Sequence, residues 1–592
     1  MENLTNKKIN EIRNLMKKNQ IDFFILPLSD YHNSEYPCDY FKALKFISGF
    51  TGSNGTLLIS QNESFLWTDG RYFSQCEKEL KGSEIKLMKM AVTGYPSLLE
   101  FIEKNISINQ ILGFDGRLFS YDTYSKISKI SKKNTFKIKN NIDFIDEIWK
   151  DRPTLPKEKA YILEEIYTGI SFSKKLELVR ESMKKNNTTV YILSSLEDIA
   201  WLFNLRGNDI KYNPFILSYS VITLNKVLLF VDISKIDAKV ENYLNKNLVE
   251  IFDYFEIYNY IKNIPIDKSI LIDYQNTNSF IIEGINKNIK VINKENPTIL
   301  LKAIKNEIEI NNTIKAHIKD GVALTKFMYW LKNIKDEKIS ELDIVEKIEE
   351  FRKKDNSYLG NNFSTIAAFG KNSPMMHYLP SENSYSNIEK GNFLLVDTGG
   401  HYLFGSTDTT RTFAIGEVTQ EMKKHYTYVL KSLISLSKAK FPEGTLCGNL
   451  DAIARNIIWD LTLDYRCATG HGVGYVGSVH EGPNILRGTS QVPIKKSMIT
   501  TVEPGIYLEN QYGIRLENEI LTKEFCKNEY GTFLNFETIT FVPFDFEAID
   551  LDYLTRDEIE WLNSFNSHIF KTLRPFLEEK EVFWLENFTK KI

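Results

Sequence analysis

The chain has 592 residues, 42% of them hydrophobic and 26% charged, which is too long for one core and, at ~150 residues per domain, leaves room for several. Lys and Arg number 74 against 77 Asp and Glu, and the formal net charge of -3 argues against a broad nucleic-acid-binding face. Five cysteines without a C-x-x-C pair exclude a disulfide scaffold and read as reduced thiols, and no stretch reaches the ~18 apolar residues of a membrane span. The opening segment, MENLTNKKINEIRNLMKKNQ, lacks the apolar run of a signal peptide. A cytoplasmic protein is expected, with neither membrane nor nucleic acid among its partners.

The first predicted element is an amphipathic helix, INEIRNLMKK at 9–18, followed by the apolar strand FFILPL and the strand pair TLLIS and SFLWTD. The same order returns later: helix KKLELVRESMKK at 174–185, strand VYIL, then the pair SVITL and VLLFVD. Two helix–strand units with alternating strand pairs predict two related α/β domains in tandem. Between them the proline-bearing segment DFIDEIWKDRPTLPKEKAY predicts a linker, which sets the first domain at 1–153 and the second at 154–299. A helical pattern over 302–333 then opens a third domain, 300–592.

The chemically suggestive residues gather in this third region. They are His377 in MMHYLP, Asp397 in FLLVDTGG, Asp408 in STDTTRTF, His471 in TGHGVG, Glu503 in TVEPGIY and Glu517 in IRLENEI. Asp397 ends an apolar strand and Asp408 precedes another, so a hairpin would return one beside the other. Glu503 and Glu517 likewise sit in two strand-like segments joined by a turn containing Asn510 and Gly513. Taken singly, each residue has an ordinary explanation as a turn residue, a cap or an exposed strand position. As an ordered set they form a cage of hard oxygen donors with one imidazole. That cage suits two divalent cations such as Mn²⁺, Co²⁺ or Zn²⁺ better than a closed structural zinc site.

The words around these residues (VDTGG, TDTTRT, GHGVG, HEGP, EPGIY and GIRLEN) resemble those of the Xaa-Pro aminopeptidases (aminopeptidase P), a branch of the pita-bread metallopeptidases. Farther upstream, ISGFTGSNGT, WTDGRYF, IWKDRP, YTGIS and LEDIAWLFNLRG resemble the long, three-domain form, so the resemblance spans essentially the whole chain. It implies a mixed α/β and α+β fold, with two creatinase-type N-terminal domains followed by a pita-bread catalytic domain with C-terminal helices. It implies Asp397, Asp408, His471, Glu503 and Glu517 as ligands of two divalent ions per subunit, Mn²⁺ foremost. The implied reaction releases the N-terminal residue from peptides with proline second, through a hydroxide bridging the metals, with Glu503 as general base. His377 is implied near the scissile bond and His480 beside the proline subsite, both catalytic and substrate-binding. Arg515 is implied as a partner of the ligand carboxylates, Arg71 in DGRYF as a contact for longer substrates, and a homodimer as the assembly. One position departs from the pattern: many relatives carry a histidine four residues before the ligand histidine, where this chain has Cys467, read as a small packing residue.

Three rival functions stand beside this reading. A prolidase would cleave only Xaa-Pro dipeptides, and the long organisation speaks against it. A methionine aminopeptidase would lack the paired N-terminal domains. A binding module without catalysis would have lost ligands that are all present here. GVGYVG at 472–477 satisfies G-x-G-x-x-G formally, but no helix pattern follows it.

Overall fold

A computed structural model describes residues 4–334 and 338–592. The chain divides into two compact units, one formed by the chain up to Leu163 together with Ile170–Thr298, the other by Glu164–Gly169 and Ile299–Ile592.

The first unit holds the repeated pattern. Helix α1 (Leu4–Lys18) buries Ile9, Ile12 and Met16 on one face, the helical spacing that its sequence offers. It leads into a sheet made of β1 (Phe23–Pro27), β2 (Thr56–Ser60), β3 (Ser64–Thr68), β4 (Ile85–Lys89), β5 (Ile111–Gly113) and β6 (Lys137–Lys139), in the order β4-β3-β2-β1-β5-β6. Helix α2 (Phe172–Lys185) is capped by the Ser171 hydroxyl, which accepts from the Lys174 N–H. The second sheet comprises β7 (Val190–Leu193), β8 (Ser218–Thr223), β9 (Val227–Val231), β10 (Val249–Phe252), β11 (Ser269–Ile272) and β12 (Lys290–Asn293), in the order β10-β9-β8-β7-β11-β12. Each sheet has two antiparallel pairings around its first two strands and three parallel ones, at corresponding places. The two sheets are therefore topological copies, as the repeated helix and strand order predicts. The His32 ring links them, lying 2.8 Å from the Ser194 carbonyl oxygen and 2.7 Å from the Tyr254 hydroxyl.

The long helix of the second unit is α3 (Glu307–Asn333). The expected helix from 302 is interrupted, because the Asn306 side chain accepts from the N–H groups of Ile308 and Glu309 while the Glu309 carboxylate accepts from the Asn306 N–H. That reciprocal cap starts a new helix at Glu307 and separates it from Pro297–Ala303. Helix α4 (Glu341–Arg352) follows, then a small sheet of β13 (Tyr358–Asn361), β16 (Gly400–Tyr402) and β17 (Gly405–Ser406). A second three-stranded sheet joins β14 (Ile366–Phe369), β15 (Asn392–Thr398) and β18 (Thr409–Ile415).

Helices α5 (Gln420–Ser437) and α6 (Cys447–Trp459) cover the core, tied by the Ser432 hydroxyl, which donates to the Ala454 carbonyl at 2.7 Å. Their inner faces bury Leu430, Leu433, Ile434, Leu450 and Ile458, each worth ~1.5–3 kcal/mol against exposure. Downstream, β19 (Lys440–Pro442), β22 (Ile499–Val502), β25 (Asn518–Asn528) and β26 (Gly531–Thr538) form a sheet in the order β19-β26-β25-β22. Two short pairs complete the unit: β20 (Gly470–His471) with β21 (Ile485–Leu486), and β23 (Gly505–Leu508) with β24 (Tyr512–Arg515). The C-terminal helices α7 (Arg556–Leu573) and α8 (Glu579–Phe588) pack Leu562, Phe565, Ile569 and Leu585 into the same core. Among the described residues, no helix is long and apolar enough to cross a membrane.

Candidate metal centre

Asp397 and Asp408 are brought together by strand pairing. In the antiparallel β15–β18 ladder Asp397 faces Thr410 and Thr398 faces Thr409, so Asp408, just outside β18, comes back beside Asp397. The intervening residues form the β16–β17 hairpin, with His401 opposite Ser406. Glu503 and Glu517 occupy the two sides of a kink. Val502 pairs with Asn518 on one side and Gly505 with Arg515 on the other, which leaves both glutamates at the break between two ladders. Gly513 lies within β24 and not in the turn, and a Cβ there would come within 2.2 Å of the Ser373 carbonyl oxygen, so the glycine answers to close packing.

His471 ends β20. Its Nδ1 is 3.0 Å from the Gly472 carbonyl oxygen, the contact of a tautomer that leaves Nε2 as a lone-pair donor. That Nε2 lies 3.3 Å from Glu503 Oε1 and 3.6 Å from Asp408 Oδ2. Among the described residues, Asp408, His471 and Glu517 each offer a ligand atom within 4.8 Å of the others. Arg515 Nη2 donates to Asp397 Oδ2 at 2.6 Å, and its Nη1 donates to the Tyr507 hydroxyl at 2.9 Å. The Thr410 hydroxyl donates to Glu517 Oε2 at 2.8 Å and lies 3.3 Å from Arg515 Nε. Thr410 and Tyr507 escape the sequence reading, because a threonine and a tyrosine in a strand carry no spacing signal.

Four carboxylates and one arginine leave a surplus of negative charge in a buried pocket. Burial, then Glu517, Asp397 and Glu503, push the Asp408 carboxyl well above the ordinary range. Burial and then Glu503 and Asp397 do the same to Glu517. Burial raises Glu503 to about 7, against the opposing pull of Arg515 and with Asp397 adding to the rise. The second oxygen of Asp397, Oδ1, is buried with no hydrogen-bond partner. Mutually repelling carboxylates with an unsatisfied oxygen and an imidazole lone pair form the donor set that divalent cations satisfy.

The remaining expected residues fall around this cage. The ring of His480 stands edge-on to that of His471 at 4.4 Å between centroids, and its charge acts to lower the Glu503 carboxyl. The neighbouring Glu481 is buried 3.5 Å from Lys302 and 3.8 Å from Lys305. His377 follows Met376, whose carbonyl oxygen accepts from Arg515 Nη2 at 3.3 Å. Cys467 is half-buried, and burial followed by the Glu503 charge pushes its thiol up to about 12. Arg71 lies in the first unit, where Asp69 holds its guanidinium through bonds of 2.9 and 2.8 Å.

Comparison with known proteins matches this layout. Residues 311–524 match metallopeptidase family M24, and 532–592 match the C-terminal region of that family. Residues 8–148 and 151–309 each match the creatinase/prolidase N-terminal domain. Xaa-Pro aminopeptidase 1 of Dictyostelium discoideum is 37% identical, over 98% of this chain and 96% of its own.

The chain belongs to metallopeptidase family M24. Within M24, the solved X-prolyl aminopeptidase of Caenorhabditis elegans, described as a cytosolic enzyme with a di-nuclear active site, superposes with a TM-score of 0.95 at 32% identity. The superposition covers 99% of this chain and 100% of that one. The prolidase of Pyrococcus horikoshii, 26% identical with a TM-score of 0.50, covers only 63% of this chain although 99% of its own. The expected architecture, two creatinase-type N-terminal domains and a pita-bread M24 domain, therefore holds.

Proposed function

We propose that this M24 metallopeptidase is an Xaa-Pro aminopeptidase, which releases the N-terminal residue from peptides whose second residue is proline. The observation that carries the reading is the convergence of Asp397, Asp408, His471, Glu503 and Glu517 on one buried pocket. The full-length similarity to enzymes named for that activity supports it over a prolidase, whose solved relative spans only part of the chain. The division into domains 1–153, 154–299 and 300–592 belongs to the same proposal, as do a homodimeric assembly and a cytoplasmic location.

The five residues would hold two divalent cations, Mn²⁺ foremost, with Co²⁺ or Zn²⁺ as substitutes. When bound, such ions supply Lewis acidity and a water that reacts near neutral pH. The chain's own groups do the rest. Arg515 fixes Asp397, Thr410 fixes Glu517, and the Gly472 carbonyl fixes the His471 ring, so the ligands are oriented before substrate arrives. Glu503 takes the proton of the attacking water on a carboxylate oxygen and delivers it to the proline nitrogen as the bond breaks. His377 donates toward the oxyanion at the scissile carbonyl. His480 forms a wall of the proline subsite. For Arg71, held by Asp69, the resemblance of DGRYF supports a role toward longer substrates.

Proline second defines the substrate because an Xaa–Pro bond is a tertiary amide without an N–H, and the ring fixes φ. A site that grips the backbone through that missing donor fails on it, whereas one that receives the ring and protonates its nitrogen succeeds. The test is a panel of Xaa-Pro-Yaa and Xaa-Pro peptides, offered to protein stripped of metal and reloaded with Mn²⁺. Release of the first residue from the tripeptides is expected. No release by protein carrying two Mn²⁺ would overturn the reading, and cleavage of dipeptides alone would make it a prolidase.

A further inference from the structure

The β16–β17 excursion between Asp397 and Asp408 has a narrow neck, with Thr398 and Gly399 on one side and Thr407 on the other. Two side chains from the consecutive helices α3 and α4 meet at that neck. Arg352, at the end of α4, is fully buried, and Asp320, in the middle of α3, is 2% exposed. Arg352 Nε and Nη2 donate to the two Asp320 oxygens at 2.7 and 3.0 Å, a bidentate fork. Burial alone would raise the Asp320 carboxyl; Arg352 holds it below the ordinary range.

Each partner has bonds left over, and these go to opposite sides of the neck. Arg352 Nη1 donates to Thr398 Oγ1 at 2.6 Å and to the Gly399 carbonyl at 3.2 Å. It also reaches Asn361 Oδ1 at 3.2 Å. Asp320 Oδ2 accepts from the Thr407 hydroxyl at 2.9 Å, and Oδ1 accepts from the Tyr402 hydroxyl at 2.9 Å. Thr398 directly follows Asp397, and Thr407 directly precedes Asp408. The neck tolerates nothing wider, because a Cβ on Gly399 would lie 2.1 Å from the Thr407 carbonyl oxygen.

A buried ion pair contributes little net stability against a well-packed apolar replacement, whereas its fork geometry defines a distance closely. We propose that Asp320 and Arg352 are positioning residues, a crossbar that sets the separation of the Asp397 and Asp408 carboxylates for the two cations. Neither residue touches the substrate or the ligand atoms; they act through Thr398 and Thr407. The inference rests on the dinuclear reading of the site given above.

Thr398→Val and Thr407→Val keep the branched shape and remove only the hydroxyl that meets the crossbar. The matching Thr→Ser variants keep the hydroxyl. Metal-stripped proteins are titrated with Co²⁺ and followed by visible absorption, which reports the number and geometry of bound ions. Wild type and both serine variants should take up two Co²⁺ with equal affinity. Each valine variant should bind at least one ion about 10- to 100-fold more weakly, with kcat reduced and KM unchanged; the unfolding temperature of the stripped protein should fall as well, since Thr398 also meets the Thr365 hydroxyl and Thr407 the Gly400 N–H. One bar joins both threonines, so the double valine variant should lose less than the product of the single losses. If a valine variant does not fold, Arg352→Lys, which keeps the charge and removes the fork, replaces it with the same expectation.

Valine or lysine variants that titrate like wild type would overturn the crossbar. So would serine variants that lose as much as valine, or losses that multiply independently. Wild type that takes up fewer than two Co²⁺ would overturn the crossbar and the dinuclear reading together, whereas normal wild-type uptake with unaffected variants overturns the crossbar alone.

Discussion

Arg515 donates to one oxygen of Asp397 at 2.6 Å, and the other oxygen of that carboxylate is buried without a hydrogen-bond partner. The arginine thus engages one oxygen of the carboxylate and leaves the other without a protein partner. Arg515→Met should reduce kcat/KM by about 10- to 100-fold, mostly through kcat, and weaken Mn²⁺ binding. Arg515→Lys should recover part of the loss, since it keeps the charge but not the fork. Unchanged Mn²⁺ affinity in the methionine variant would argue against the orienting role.

Glu503 stands 3.3 Å from His471 Nε2 and is assigned the proton transfer. Glu503→Gln keeps its size and removes the base, so kcat should fall by about 10²- to 10⁴-fold. Metal analysis of the same preparation separates the two roles of this residue. Near-normal turnover with two metals bound would remove Glu503 from the mechanism.

The acid–base behaviour of the metal-free protein follows from the raised carboxyls. Glu503, at about 7, binds its proton more tightly folded than unfolded, and Asp408 and Glu517 are raised in the same direction by burial and the neighbouring carboxylates. A raised folded pKa stabilises the protein below the unfolded value and is lost as pH rises through the folded one. Stripped protein should therefore melt at lower temperature as pH is raised from about 5 to about 8. The stabilisation added by Mn²⁺ should grow over the same interval, because protons and cations compete for the same oxygens. Thermal melts with and without chelator across this range measure both trends; a flat stripped-protein profile would contradict them.

Gly470 sits beside His471 with no room for a side chain, since a Cβ would meet the Thr501 carbonyl oxygen at 1.8 Å. Gly470→Ala must separate β20 from β22, and with it His471 from Glu503. A destabilisation of about 1–3 kcal/mol is expected from overpacking. Metal content should fall in the same variant, a coupling that an alanine substitution at an exposed glycine with ordinary backbone and room for a Cβ, such as Gly488, should not produce.

Thiol chemistry offers a check on Cys467. Cys38, Cys76 and Cys447 are buried, Cys467 is pushed up to about 12, and Cys526 is exposed. Because the thiolate is the reactive form, a single equivalent of iodoacetamide near neutral pH should label Cys526 and leave activity intact. Peptide mapping identifies the site. Early modification of Cys467 with loss of activity would show a reactive thiol in the pocket.

Much of this was legible from residue order because the cues are local. Asp397, Asp408, Glu503 and Glu517 each sit at the edge of a strand-like segment, and a hairpin brings such edges together without help from the rest of the chain. The duplicated sheets were legible for the same reason, each copy repeating one helix and the same strand order. What stayed hidden depends on contacts between distant segments. Asp320 and Arg352 lie in helices with ordinary patterning, and only packing makes them neighbours of Thr407 and Thr398. The restart of the helix at Glu307 was signalled by Asn306 and Glu309, a capping pair masked by the apolar periodicity running through it. Composition points Gly513 to a turn, whereas the close backbone of Ser373 explains it.

The kinked ladder that carries Glu503 and Glu517 has a mechanical consequence. The five proposed ligands hang on three parts: one hairpin with two aspartates, one bent hairpin with two glutamates, and one short strand with the histidine. Side chains alternate faces with every residue, so a one-step slip of either strand in a ladder turns the carboxylate that strand carries away from the pocket. The centre therefore depends on strand register as much as on residue type, and substitutions far from the pocket that disturb that register act on metal loading as abruptly as the loss of a carboxylate itself.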